Sequence, residues 1–410
     1  MERKFKDSGI DWIQKIPETW EVGQLKRLLS FNNGQDYKHI ESDSGYPVYG
    51  SGGVFMHASQ YLYDGEAVLF GRKGTINKPL YVNDKFWTVD TMYYALPKED
   101  CIAKYIYYMA ILFPYDKYQT STALPSMTQS ILGNLIVCIP QKDEQQRIAD
   151  YLDEKCREID SLIGLQEQMI EALKAYKQSV ITEAVTRGLA PNAKLVPSGI
   201  DWIGEIPEGV NLVKLSMLTS KIGSGSTPRG GSSIYVKEGI KFLRSQNVYC
   251  EGFDLSDVAY ITEDIDEEMS GTRVQVGDVL LNITGGSIGR CYFVDETLGR
   301  ANVNQHVSII RPTKIETKYL KYYLQSECGQ MQIALLQTGG NREGLSAAAL
   351  SQFIIVYPSV DEQKDIAVYL DEKCLDIDCL IEMKQKKIEK LKDYKKSIIY
   401  EAVTGKIDNI

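Results

Sequence analysis

Asp143–Thr186 reads DEQQRIADYLDEKCREIDSLIGLQEQMIEALKAYKQSVITEAVT, and Asp361–Thr404 reads DEQKDIAVYLDEKCLDIDCLIEMKQKKIEKLKDYKKSIIYEAVT. More than half of the aligned positions are identical, so one segment has been used twice. The segment is helical on several grounds. It has no proline, its first copy has Gly164 as its lone glycine, and Glu, Lys, Leu, Ala and Gln dominate it. Asp143 and Asp361 stand where a first turn is capped, shortly after Pro140 and Pro358. Apolar residues recur at seven-residue steps: Leu152, Ile159, Leu173 and Val180, then Leu370, Ile377, Leu391 and Ile398. Leu162, Met169 and Tyr176, echoed by Leu380 and Tyr394, are expected to fill the intervening seam. Such a heptad predicts a coiled coil, a rod of roughly 65 Å at about 1.5 Å per residue. Gln166 and Lys384 put one polar side chain into each seam, either as a register device or as a solvent-reaching loose point. The natural partner of each helix is the other copy. Antiparallel pairing would relate the two halves by an approximate two-fold axis.

A second echo is shorter: SGIDWIQKIPE at Ser8–Glu18 and SGIDWIGEIPE at Ser198–Glu208. It recurs after 190 residues and the long segment after 218, so the stretch between them is longer in the second copy. Those stretches, roughly 21–142 and 211–360, share no long match. The chain therefore divides into a globular block with its lead-in (1–142), a helix (143–190), a second block with lead-in (191–360) and a second helix (361–410). Trp12 and Trp202 are expected to anchor the repeated phrase in a core.

Both blocks read as α+β. Apolar β-formers (AVLF, DVLLNI, CYFV, VSIIRP, LIVCIP, FIIVYP) alternate with loops of Gly, Ser, Thr, Asn and Arg, and each block carries a helical patch, AKYIYYMAILF or TKYLKYYLQSECGQMQIALL. The loops hold Arg72, Lys73, Asn77 and Lys78 in the first block. In the second they hold Ser226, Thr227, Arg229, Arg244, Gln246, Asn247, Thr284 and Arg290. These types suit a base-reading surface: arginine pairs bidentately with guanine, Asn and Gln with adenine, while Ser, Thr and Lys secure phosphates. The net charge of −9 does not oppose this, because acid gathers at the start of each helix and in TEDIDEEM (Thr262–Met269). A basic surplus elsewhere includes Lys221, Arg229, Lys241, Arg244, Arg290 and Arg311.

Catalytic readings are weaker. ITGGSIGR lacks the Gly-Lys-Ser/Thr ending of a phosphate loop. The DEK of Asp153–Lys155, half of a nuclease pattern, lies on a predicted helix and recurs at Asp371–Lys373. No Asn-Pro-Pro-Tyr or Asp-Pro-Pro-Tyr is present. Eight cysteines without a C-x-x-C pair and three histidines (His39, His57, His306) argue against zinc and for reduced thiols. No signal peptide or membrane span is expected, which points to the cytoplasm.

Together SGIDWIGEIP, SGSTPRG, GDVLLNITGGSIGR, NVNQHVSIIRP and the P…DEQ…IA.YLDEK…ID.LI segment resemble the DNA specificity subunit of type I restriction–modification systems, over essentially the whole chain. That resemblance implies two target recognition domains, each reading half of a split double-stranded DNA target, on an antiparallel coiled coil with pseudo-two-fold symmetry. It further implies a non-catalytic chain that binds no cofactor, docked to two methyltransferase subunits that carry S-adenosylmethionine and joined by motor/nuclease subunits. The first block departs from the pattern, with PVYGSGG and GRKGT but no SGSTP opening. A self-sufficient restriction or modification enzyme, and a coiled-coil protein with carbohydrate- or protein-binding blocks, are the alternatives.

Overall fold

A computed structural model describes residues 3–119, 125–337 and 344–407. It forms two compact units: Met1–Glu167 with Gln385–Ile410, and Gln168–Lys384. The two repeated segments are helices, Lys142–Arg187 and Val360–Val403, and each contributes a part to both units.

Within each unit the two helical segments run antiparallel. In the first, Lys395 binds Asp160 at 2.7 Å; in the second, Lys177 binds Asp378 at 2.7 Å. Asp160 and Asp378 are one position of the repeat, and Lys177 and Lys395 are another, so the same ion pair is made twice. Leu152, Ile159, Val180, Leu370, Ile377 and Ile398 are buried, while Leu173 and Leu391 are half-buried. The other side of the seam differs from the expectation. Leu162, Met169, Tyr176, Leu380 and Tyr394 are between 40% and 58% exposed. Cys156, Ile163, Ile170 and Lys177, four residues after the first set rather than three, turn inward instead. Both spacings lie on one helical face, and this helix is apolar on both flanks. Gln166 is 6% exposed and its Oε1 finds no partner, which makes it a true polar layer in the first unit.

The repeated lead-in is a hairpin, Phe5–Asp7 with Lys15–Pro17 and Leu195–Pro197 with Glu205–Pro207. Its turn is held by Ser8 N–H to Gln14 O (2.7 Å) and Ser198 N–H to Gly204 O (2.8 Å). The buried anchors are Ile13, Ile16, Ile203 and Ile206 rather than the tryptophans. Trp12 is half-buried against the core of the first unit, edge-on to Phe113, whereas Trp202 is 36% exposed. Gln14 has φ 64°, a left-handed conformation that Gly204 supplies at φ 72° in the other copy. Gln14→Gly is therefore expected to stabilise the chain by about 0.5–1 kcal/mol, seen as a higher urea midpoint; a lower midpoint would contradict this account of the turn.

Each block is fastened to the helices by the same side chains. Gln145 and Gln363 are fully buried; their Oε1 atoms accept from Ile102 N and Glu316 N (both 2.9 Å), and their Nε2 atoms donate to Pro140 O and Pro358 O. Asp153 accepts from Lys104 and Tyr108 (2.5 and 2.7 Å), and Asp371 from Lys318 and Tyr322 (2.7 Å each). Tyr105 and Tyr319, wholly buried, each donate within reach of a strand carbonyl (Cys138, Val356) and a helix carbonyl (Val403, Val185). Buried polar groups persist only when paired, so these contacts explain why DEQ and YLDEK recur. The aspartate of DEK is a docking group, not half of a nuclease site.

Among the described residues the large sheet of the first unit has seven strands, ordered Leu29–Asn33, Met92–Pro97, Tyr63–Gly71, Leu80–Thr88, Tyr46–Gly50, Gly53–Ala58, Glu41–Ser42. The second unit divides the task. Four strands (Thr219–Ser224, Val307–Pro312, Val279–Asn282, Cys291–Phe293) form one sheet, and three (Ala259–Ile261, Ile240–Leu243, Ala301–Val303) form another. Glu21–Gln24 pairs with Ile136–Ile139, and Asn211–Lys214 with Ile354–Tyr357, tying the entry of each block to its exit. The predicted helical run of the second block is broken into Thr317–Gln325 and Glu327–Leu336 because Ser326 turns extended and caps Gly329 N with its hydroxyl.

Candidate nucleic-acid interface

Three loops converge in the second unit. Gly225 lies so close to Val303 O and Asn304 O that any Cβ there would stand about 2.0 Å from the first. Only glycine lets the SGSTP segment run against the NQHV loop. The strand Val279–Asn282 ends beside them, leading into Thr284. A polar chain then joins all three: Thr227 Oγ1 donates to Gln305 Oε1, Gln305 Nε2 donates to His306 Nε2 (3.0 Å), and His306 Nδ1 meets Thr284 Oγ1 at 2.7 Å. Thr227 and Gln305 are exposed, while His306 and Thr284 are half-buried. This arrangement fixes the direction of several donors and acceptors before any ligand arrives, as a base-reading rim requires.

The first unit has the same frame. Gly34 N donates to Met92 O and Gln35 N to Thr88 O, as Gly225 N does to Val307 O and Ser226 N to Val303 O. Arg72 N donates to Thr91 O, as Ile283 N does to His306 O. A Cβ on Gly34 would meet Val89 O at 2.0 Å, matching the squeeze at Gly225. Asn33–Asp36 is thus the backbone counterpart of the SGSTP opening, whose sequence the first block lacks. The frame is shared; the rim residues differ.

Arg72 and Lys73 sit on this rim, with the Arg72 guanidinium 5.9 Å from the Tyr93 ring. Asn77 and Lys78 are exposed just beyond the buried Ile76. In the second unit Ser226, Thr227 and Thr284 belong to the convergent loops, and Arg229 is exposed beside them in sequence. The remaining candidates lie elsewhere. Arg244 and Gln246 both bind Asp257, the latter at 2.7 Å. Asn247 is 1% exposed, its Oδ1 accepting from Arg244 N and its Nδ2 donating to Asp254 O. It holds the turn and presents nothing to a ligand, so its expected place among the base-reading residues is corrected. Arg290 stacks at 5.0 Å over Tyr249 in a hollow of about 710 Å³ that Lys174 and Gln178 of the long helix also line.

The basic surplus is largely spent inside the unit. Arg311 binds the fully buried Asp278 (2.7 Å), Lys241 donates to Leu298 O and Lys221 to Gly271 O. Donating to the Asp278 carboxylate raises the Arg311 pKa, whereas burial and the nearby Arg311 lower that of Lys221. Arg273 and Arg300 likewise neutralise the buried Asp266 of the acidic run. Gln305 and His306 were not singled out from sequence. Their signal is the polar Asn304–His306 run between the strands Ala301–Val303 and Val307–Pro312. Among the described residues no cluster of His, Cys, Asp and Glu could hold a metal, and no helix is long and apolar enough to cross a membrane.

The family described as Type I restriction modification DNA specificity domain matches residues 17–175 and 207–393. The MjaVIII specificity subunit of Methanocaldococcus jannaschii, named as part of a type I restriction enzyme, is 28% identical over 96% of this chain and 94% of its own. The EcoBI specificity subunit of Escherichia coli is 22% identical over 99% and 90%. A chain from a solved type I R-M system assembly shares the fold, with a TM-score of 0.72 at 15% identity over 96% of this chain and 99% of its own. Two matched regions, each holding one three-loop rim, account for most of the sequence, and the chain belongs to the type I restriction–modification DNA specificity family.

Proposed function

We propose that this chain is the sequence-reading, non-catalytic subunit of a type I restriction–modification complex, each unit reading one half of a bipartite double-stranded DNA target. One observation carries the reading: a single backbone frame, pinned at Gly34 and Gly225, presents different rim residues in the two units. Arg72, Lys73, Asn77 and Lys78 would contact the first half-site, and Ser226, Thr227, Arg229, Thr284, Gln305 and His306 the second. Arg244, Gln246 and Arg290 are further candidates once DNA displaces their present partners. A compact block reads only a few base pairs, and two on one scaffold multiply their discrimination against a genome of competing sites.

Methylation requires a flipped base in a pocket, which falls to two methyltransferase subunits carrying S-adenosylmethionine. Motor/nuclease subunits complete the restriction complex in the cytoplasm. Exposed apolar residues on the helices support docking of such partners: Leu162 and Leu165 in the first unit, Met169, Tyr176 and Met383 in the second. Co-expression with a methyltransferase subunit and mapping of methylated adenines tests the reading. One motif with two half-sites at fixed spacing is expected. Methyl transfer by the purified chain alone, or methylation without sequence preference, would overturn it.

A further inference from the structure

The duplicated halves differ at one enclosed place. In the first unit Trp20 is 1% exposed at the foot of the hairpin, and its Nε1 donates to Glu144 Oε2 at 2.9 Å. Arg3 pairs with the other oxygen of Glu144, reaches Gly405 O and Ile407 O at 3.3 and 3.4 Å, and lies 5.6 Å from the Trp20 ring. A ring and a cation thus plug the junction of hairpin and helix ends over a carboxylate. In the second unit the repeat places Val210 where Trp20 stands, Ala193 where Arg3 stands and Glu362 where Glu144 stands. The backbone there is the same: Trp20 N donates to Pro17 O and Val210 N to Pro207 O, Glu18 N to Lys4 O and Glu208 N to Lys194 O. The plug is missing, and a hollow of about 320 Å³ remains, lined by Val185, Leu189, Pro207, Val210, Glu362 and Ile366. Ala193 lines the adjoining hollow, and Leu189 is left 41% exposed.

We propose that this hollow is a docking site for a partner protein that inserts an aromatic ring together with an arginine or lysine, as Trp20 and Arg3 occupy the equivalent place in the first unit. The first unit is the template for the occupant. Its walls are apolar, and Glu362 and Asp365 supply negative charge at its edge. A cation over an aromatic face adds to the ion pair once both are desolvated. Nucleic acid is the wrong occupant, because those carboxylates repel phosphate. The first unit fills its own copy of the site, so each chain offers one such contact.

The test uses the full chain and no DNA, so it succeeds or fails apart from the DNA-reading proposal. Capped tripeptides Arg-Gly-Trp, Glu-Gly-Trp and Arg-Gly-Ala serve as probes, followed through the methyl resonances of Val185, Leu189, Val210 and Ile366. Saturable shifts are expected with Arg-Gly-Trp and at least about tenfold weaker binding of the other two, the effect of one lost contact of about 1.4 kcal/mol. Glu362→Gln, which keeps the helix cap made with Ser359, should weaken Arg-Gly-Trp by a similar factor. Ala193→Arg/Val210→Trp should abolish binding and raise the melting temperature, because the chain then plugs itself. Equal binding of the three probes, no saturable shift with any of them, or a self-plugged variant that melts lower would overturn the proposal.

Discussion

Inserting seven residues into each long helix, at matching positions of the repeat, should lengthen the preferred spacer between the half-sites while leaving both half-sequences unchanged. Seven residues keep the seam in phase, because the buried positions alternate at steps of three and four. They add about 10 Å of helix, close to three base-pair steps at about 3.4 Å each. The added steps also rotate one half-site around the duplex by about a quarter-turn, so affinity should fall as the optimum moves. Selection from DNA libraries of varied spacer length measures both. An unchanged optimum would mean that the helices do not set the distance. A two-residue insertion is the control, since its roughly 200° of added rotation turns Leu152 and Ile159 out of the core that also buries Ile398 and should unfold the first unit.

The second large effect concerns the polar chain of the second unit. Thr227→Val and His306→Ala each remove a member, and each should weaken binding to the intact target by about 1–3 kcal/mol, with discrimination lost in the second half-site alone. Arg290→Ala should cost a similar amount if its guanidinium grips guanine. Thr284→Val removes the hydroxyl that meets His306 Nδ1 and should act in the same direction. Binding to targets altered one base pair at a time separates the outcomes. Unchanged affinity and preference in all four variants would place the reading surface on other loops.

The duplicated scaffold was legible because identity between the copies reports selection on particular contacts. Gln145, Asp153, Gln363 and Asp371 are buried or half-buried polar groups whose partners come from the adjacent block, and such groups tolerate few replacements. The inner flank of the seam was not legible: Leu162 and Ile163 are both apolar neighbours, and only packing decides that the second faces inward. Trp202 misled because size suggests burial, whereas the hairpin is anchored by the smaller Ile203 and Ile206. The reading rim was half legible. Thr227 and Thr284 stood out by loop composition, but the chain linking them runs through Gln305 and His306, which adjoin a buried strand. Asn247 shows the reverse error, a polar side chain consumed by its own turn. Gly34 disclosed its kinship with Gly225 only through the carbonyl it nearly touches.

Exchanging residues 211–360 for the second block of another family member, then mapping methylated sites after co-expression with the methyltransferase subunit, addresses the central claim most directly. The half-site read by the first unit and the spacer should persist, while the other half-site becomes that of the donor. A change in both half-sites, or in neither, would contradict the assignment of one reader to each unit.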